Sequence, residues 1–239
     1  MRTLVIIPTY NERENIASMI EKVLSLEGGY DLLVIDDGSP DGTAEIVRNY
    51  RTLHPERLHL IERSGKLGLG TAYLAGFHWG LEHGYEALCE MDCDFSHDPD
   101  DLCRLVHALE QGADVAVGSR YVKGGKIVNW PLARLAISYF GSLYVRMVTW
   151  MPVHDTTAGF VCYRREALER INLDAVRMKG YGFQIEMKYT AWRLGLRIAE
   201  LPITFTERRE GSSKMSGGIF QEALWGVLKL RFRRIVAQQ

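Results

Sequence analysis

The sequence predicts an α/β fold with a mostly parallel central sheet flanked by helices, and three observations carry that prediction. Short continuous apolar runs rich in β-branched residues recur along the chain, as strands covered on both faces require. Segments with helical spacing separate them. Polar and acidic residues follow the runs, which is where ligands bind in open α/β sheets.

"TLVIIP" (3 to 8) reads as the first strand and "DLLVID" (31 to 36) as the second. Between them Ile16, Met19, Ile20, Val23 and Leu24 keep helical spacing, Asn11 and Glu14 stand as N-cap and N3 partner, and Gly28-Gly29 stops the helix. This is a βαβ unit. The alternation continues with helices near 42 to 51, 70 to 83 and 98 to 111, and strands near 57 to 62, 86 to 92 and 113 to 119. An open doubly wound sheet closes such a series. The polar stretches Pro8 to Glu12, Asp36 to Asp41, Asp92 to Asp98 and Gly118 to Tyr121 all fall at its strand ends and define one candidate site.

After residue 121 the pattern changes. Leu132, Leu135, Ala136, Tyr139, Phe140, Leu143, Tyr144, Met147 and Val148 follow the spacing of an amphipathic helix. A strand at 159 to 164, a helix at 182 to 194, a strand at 196 to 205 and an amphipathic segment at 219 to 236 follow. With no repeat and no low-complexity linker, a single domain over 1 to 239 is expected.

Lys and Arg total 29 against 30 Asp and Glu, so the strongly basic signature of a nucleic-acid binder is missing. The balance conceals a basic end, where Lys214, Lys229, Arg231, Arg233 and Arg234 face Glu222 alone. Cys89, Cys93, Cys103 and Cys162 form no CxxC pair, and no signal peptide precedes the first strand, so free thiols in a reducing cytoplasm are expected. No apolar stretch is long enough to span a bilayer, and any membrane contact is expected to be peripheral.

Asp92 and Asp94 flank Cys93 at the end of a strand, and one-residue spacing on extended chain points both carboxylates to one side, where a hard divalent cation would meet them. Asp98, Asp100 and Asp101 read instead as helix-start chemistry around Pro99. Asp36 and Asp37 form a second acidic cluster, suited to a ribose or base, with Asp41 in the turn that follows. No GxGxxG follows the first strand, which makes an NAD-binding dehydrogenase the least favoured reading, and "GKLGLGTAY" (65 to 73) alone is a weak signal.

Together "VIIPTYNERENI", "VIDDGSPDGT", "MDCDFSHDP", "VGSRYVKGG" and "RREGSSK" resemble the inverting family 2 glycosyltransferases of GT-A fold, a Rossmann-like nucleotide-sugar transferase fold, and within them the polyprenyl-phosphate mannosyltransferases. The resemblance implies a nucleotide-sugar half at 1 to 121, an acceptor half at 122 to 215 and a C-terminal amphipathic segment at 216 to 239. It implies a GDP-mannose pocket from Pro8, Tyr10, Glu12, Asp36, Asp37, Lys66, Gly70, Asp92, Cys93, Asp94 and His97, with Ser96 beside it. Asp92, Asp94 and His97 are the implied ligands of Mg2+ or Mn2+, and Asp94, Arg120 and Arg208 the implied catalytic residues. Arg120, Arg134, Arg208, Ser213 and Lys214 are implied contacts of the acceptor phosphate or the donor diphosphate.

A lipid phosphate is already anionic at neutral pH, so this chemistry needs no dedicated base. Asp155 and Glu186 are further acids that read either as helix-terminus or surface groups or as sugar or acceptor contacts. The segment from Ile219 to Ile235 reads as an interfacial helix with Arg231, Arg233 and Arg234 toward headgroups, or as core packing with a basic rim. The resemblance places such an enzyme on the cytoplasmic face of a membrane. A family 2 transferase using a UDP-sugar or a hydroxyl acceptor, and a non-catalytic nucleotide-sugar-binding subunit, are the alternatives.

Overall fold

The computed structural model describes residues 1–178, 180–207, 217–233, 235 and 237, with the backbone alone for 181 and 217–224. Seven strands build the main sheet: β1 (Thr3–Thr9), β2 (Asp31–Asp36), β3 (Leu58–Glu62), β4 (Ala87–Glu90), β5 (Val115–Ser119), β7 (Val161–Arg164) and β8 (Ile198–Pro202). Their order is β3-β2-β1-β4-β7-β5-β8. β1, β2, β3 and β4 pair in parallel, as do β5 and β8, whereas β7 runs antiparallel to both β4 and β5. The sheet is therefore mostly parallel, and its one reversed strand carries chain into the carboxyl edge from the opposite direction.

The continuous apolar runs of β1 and β2 are buried almost throughout, because helices cover both faces. One layer packs Ile16, Met19, Ile20 and Val23 of α1 (Arg13–Ser25) and Leu105 and Leu109 of α4 (Leu102–Glu110). The other packs α3 (Leu69–Glu82) and α7 (Tyr181–Arg193). α3 lies close on the sheet because two of its positions lack side chains: a Cβ at Gly76 would stand 2.6 Å from Ile6, and one at Gly80 2.4 Å from Leu88. α2 (Thr43–Leu53) and the short α6 (Arg165–Arg170) complete the wrapping.

Local chemistry departs from the sequence reading in several places. Asn11 takes a left-handed conformation and Glu12, not Asn11, occupies the N-cap of α1, without a side-chain cap. Asp98 behaves as expected: its side chain accepts the Asp100 N–H, and Pro99 opens a turn of 3-10 helix that leads into α4. The run at 196 to 205 is two strands, because Ile203 passes the chain from one sheet to the other: its N–H donates to Ser119 O of β5, its carbonyl accepts from Lys126 N, and β9 (Thr204–Thr206) then pairs in parallel with β6 (Lys126–Val128). β6 is three residues long and carries no strand pattern of its own.

The cysteines require a correction. Cys89 and Cys162 stand directly opposite each other on β4 and β7 and form a disulfide, 73 positions apart in sequence and with Cα atoms 4.0 Å apart. Local spacing could not reveal this pair, because the reversed strand creates it. Cys93, which is buried, and Cys103, which is exposed, take no part in this bridge.

α5 (Leu132–Thr149) has the expected length but not a fully covered apolar face: Ser142, Val145 and Thr149 are buried, while Leu132, Ile137, Tyr139, Phe140 and Met147 are exposed. α8 (Gly217–Phe232) divides in the same way, with Val227 and Leu230 packed against α5 and α7 and with Trp225, Leu228 and Phe232 exposed. Both readings of this segment therefore have a face. Among the described residues no helix is long and apolar enough to cross a membrane.

Candidate active site

The carboxyl ends of β1 and β2 lie side by side, Thr9 paired with Asp36. Asp36 accepts hydrogen bonds from Thr9 Oγ1 at 3.0 Å, Ser39 Oγ at 2.6 Å and Ser39 N at 2.8 Å, so it anchors the turn after β2. Asp37 accepts from Arg63 Nε at 2.6 Å, and both side chains are largely buried. Arg63 was missed in the sequence because nothing near it marks its partner; it also donates to Thr71 Oγ1 at 2.8 Å. Asp41 accepts from Thr43 N and Thr43 Oγ1 and from Arg13 N, which is turn chemistry.

Pro8 and Tyr10 are half-buried beside this edge, and the Lys66 ammonium sits over the Tyr10 ring, 5.1 Å from its centroid. Glu12 serves the start of α1, its carboxylate accepting from Asn15 Nδ2 at 3.1 Å. Gly70 has a packing reason for its lack of side chain, since a Cβ there would lie 2.9 Å from the Phe183 ring.

Beyond β4 the DCD segment places Asp92 partly in solvent and Asp94 in a buried position, where Asp94 Oδ1 accepts the Ser96 N–H at 3.0 Å. Cys93 between them points into the core. Two carboxylates a residue apart are hard oxygen donors, and this pair fits a divalent cation. The third expected ligand does not join them: among the described residues no group of three His, Cys, Asp or Glu side chains is gathered to hold a metal ion. His97 is clamped between the rings of Phe160 and Phe205, with Nδ1 3.9 Å from Asp92 Oδ2. Burial pushes its pKa down to about 4 against the pull of Asp94, so the ring is neutral at pH 7.

Because β7 is antiparallel, the loop at 154 to 160 enters at the same edge, between the ends of β4 and β5. It delivers Asp155, whose carboxylate takes the Arg120 N–H at 2.9 Å, Nε at 2.7 Å and Nη2 at 2.6 Å. Thr157 Oγ1 accepts from the same Nη2 at 3.0 Å. Burial by itself would raise the Asp155 pKa, but the adjoining guanidinium holds it below the ordinary carboxylate value. Asp155 is thus a buried ion-pair partner, not a helix cap.

Arg120 also lies near the Trp130 and Phe205 rings. Arg134 lies over the same Trp130 ring, 4.0 Å from its centroid, and donates to Glu207 Oε2 at 2.5 Å. The structure therefore gathers Arg120 and Arg134 around one indole, near the DCD segment, to which Thr206 N is tied through Ser96 O. Arg208, Ser213 and Lys214 lie outside the described residues. Glu186 is no surface acid: it is buried, accepting the N–H groups of Arg177 and Met178 and the Arg233 guanidinium, which fastens the end of α8 to α7.

The glycosyl transferase family 2 model matches residues 4–171. The chain is 50% identical to the polyprenol monophosphomannose synthase of Mycolicibacterium smegmatis, over 95% of this chain and 87% of that one. It is 49% identical to the undecaprenyl-phosphate mannosyltransferase of Micrococcus luteus, covering 96% and 93%. Identity to the dolichol-phosphate mannosyltransferase of Pyrococcus furiosus is 35%, covering 96% of this chain and 64% of that one. Among solved structures, glucosyl-3-phosphoglycerate synthase from Mycobacterium tuberculosis with Mn2+, UDP and glucosyl-3-phosphoglycerate shares the fold at a TM-score of 0.72 and 20% identity, over 96% of this chain and 79% of that one. A strand order with one reversed member, acids at its carboxyl edge and matches of this length lead to one assignment: the chain belongs to glycosyl transferase family 2.

Proposed function

We propose that this transferase moves mannose from GDP-mannose to a polyprenyl monophosphate, giving polyprenyl-phosphate mannose and GDP. The observation that carries the proposal is the 50% identity over 95% of the chain to a polyprenol monophosphomannose synthase. The edge formed by β1 and β2, with Tyr10, Asp36, Asp37 and Lys66, is assigned to the nucleotide. Asp92 and Asp94 would hold Mg2+ or Mn2+, whose chemistry there is neutralisation of the diphosphate.

Arg120 and Arg134, with Arg208, Ser213 and Lys214, are assigned to the anionic oxygens of the two substrates. Their guanidiniums match phosphate geometry with paired donors. An oxygen of the lipid phosphate attacks the anomeric carbon, the bond from that carbon to the diphosphate oxygen breaks, and its electron pair leaves with GDP. Attack opposite the leaving group converts an α donor into a β product. No side chain has to remove a proton, because the nucleophile is ionised at pH 7. The exposed apolar residues of α5 and α8 suit work at a membrane surface, where the acceptor is found.

The test is a donor panel of GDP-mannose, UDP-glucose and UDP-N-acetylglucosamine with a short polyprenyl phosphate, with and without Mn2+. Label from GDP-mannose should enter a solvent-extractable, mild-acid-labile lipid. Transfer only to a soluble sugar, with none to any polyprenyl phosphate, would sink the proposal.

A further inference from the structure

Lys188 is fully buried on α7 and directs its ammonium at Ala158 O at 2.6 Å, Gln184 O at 3.2 Å and Gln184 Oε1 at 3.2 Å. Three acceptors match its three donors. Burial nevertheless pushes its pKa from 10.5 down to about 8, with Glu90 and Asp155 supporting the charge and Arg120 opposing it. A residue that only filled the core would be apolar, since a buried cation is costly.

The contact that distinguishes Lys188 is the Ala158 carbonyl, in the irregular loop that holds Arg120. The other end of that loop is held by Glu200 on β8. Glu200 Oε2 accepts from His154 N at 2.7 Å and lies 2.8 Å from His154 Nδ1, and Oε1 accepts from Asp155 N at 2.9 Å and Ser119 Oγ at 2.8 Å. Of the two residues that grip the Arg120 side chain, Asp155 is held directly at the Glu200 end and Thr157 lies between the two anchors.

We propose that Lys188 and Glu200 are positioning residues that clamp the 154–158 loop at two points, so that Asp155 and Thr157 present the Arg120 guanidinium to the substrate phosphate. This rests on the assignment of Arg120 to the reaction. Neither is assigned to substrate, because Lys188 is fully buried and both Glu200 oxygens are taken up by donors of the loop and of Ser119. Sequence spacing could not reveal the clamp, because it joins α7 and β8 to a loop more than two dozen residues earlier in the chain.

The experiment is a double-variant cycle on the full chain, with mannosyl transfer and GDP binding measured in parallel. Lys188→Met should lower kcat about 10- to 100-fold, as expected when an oriented group shifts by about 1 Å, and leave GDP affinity unchanged. In an Arg120→Lys background the same change should cost little more, because the group it orients is already impaired. Losses that multiply in the double variant, or an equal fall in GDP affinity, would overturn the clamp. Full activity of Arg120→Lys alone would instead overturn the assignment of Arg120. Glu200→Gln provides the same cycle from the other anchor should Lys188→Met not fold, and Lys188→Gln, which keeps a donor for Ala158, should recover part of the loss.

Discussion

Asp155 binds Arg120 through both carboxylate oxygens while also accepting its backbone N–H, so one buried acid fixes the main chain and side chain of one arginine together. With the Asp155 side chain fully buried and that of Arg120 nearly so, removing one partner leaves an unpaired charge inside the protein. Asp155→Asn is expected to cost about 3–5 kcal/mol in stability. The pH dependence has a definite sign. The Asp155 pKa is lowered in the folded state, so its stabilisation is complete above the ordinary value of 3.8 and is lost as pH falls through the lowered one. Thermal midpoints of wild type and Asp155→Asn should therefore differ most near neutrality and converge in acid; a constant difference from pH 7 to pH 2 would refute the account.

Asp94 tests the division of the acidic segment. Asp94→Asn should weaken nucleotide binding in the presence of Mn2+ by at least the roughly 10- to 100-fold that loss of an outer-shell partner costs a metal site. Binding without metal should change little. Asp100→Asn should alter neither, because Asp100 is exposed and pairs with Lys22 of α1 on the helix side of the segment. Calorimetric titration with GDP, with and without Mn2+, reads both variants, and equal effects of the two substitutions would refute the division.

What was legible in the sequence followed local rules. The runs of β1 and β2, the Asp98-Pro99 helix start and the DCD spacing each express their physics within a few residues. What was not legible depended on the reversal of β7. That reversal pairs Cys89 with Cys162, brings Asp155 to Arg120 and lays Phe160 against His97. No periodicity distinguishes "VCYR" as antiparallel, so partners more than 30 residues apart stayed hidden. The outward apolar residues of α5 were hidden for the opposite reason: helical spacing shows that a face exists but not that the fold will leave it uncovered.

The Cys89–Cys162 bridge makes its own prediction. Closing a loop of 73 residues restricts the unfolded chain and contributes about 4 kcal/mol in the chain-entropy view. The denaturation midpoint should fall when unfolding is carried out with a thiol reductant, and Cys162→Ser should reproduce the loss without further sensitivity to reductant. Peptide mapping under non-reducing conditions should recover the 89 and 162 peptides linked. Recovery of both as free thiols from oxidatively handled protein would remove the bridge from the account.

Trp225 and Phe232 project from the face of α8 opposite Val227 and Leu230, with Lys229 and Arg231 beside them. Arg231 lies over the exposed ring of Trp150 at the end of α5, which joins the two outward apolar surfaces through a cation. An apolar face bordered by basic residues is attracted to anionic headgroups and gains further by burying its aromatics at the acyl boundary. Each large side chain fully buried there would contribute about 1.5–3 kcal/mol, equivalent to roughly tenfold or more in partitioning. The protein should therefore sediment with phosphatidylglycerol vesicles and less with phosphatidylcholine vesicles, and added salt should weaken the binding by screening the basic residues. Replacing both Trp225 and Phe232 by Asp should reduce sedimentation at least tenfold while GDP binding is retained. Undiminished sedimentation of the double variant would assign these residues no membrane role and leave α8 as a packing element fastened through Arg233 and Glu186.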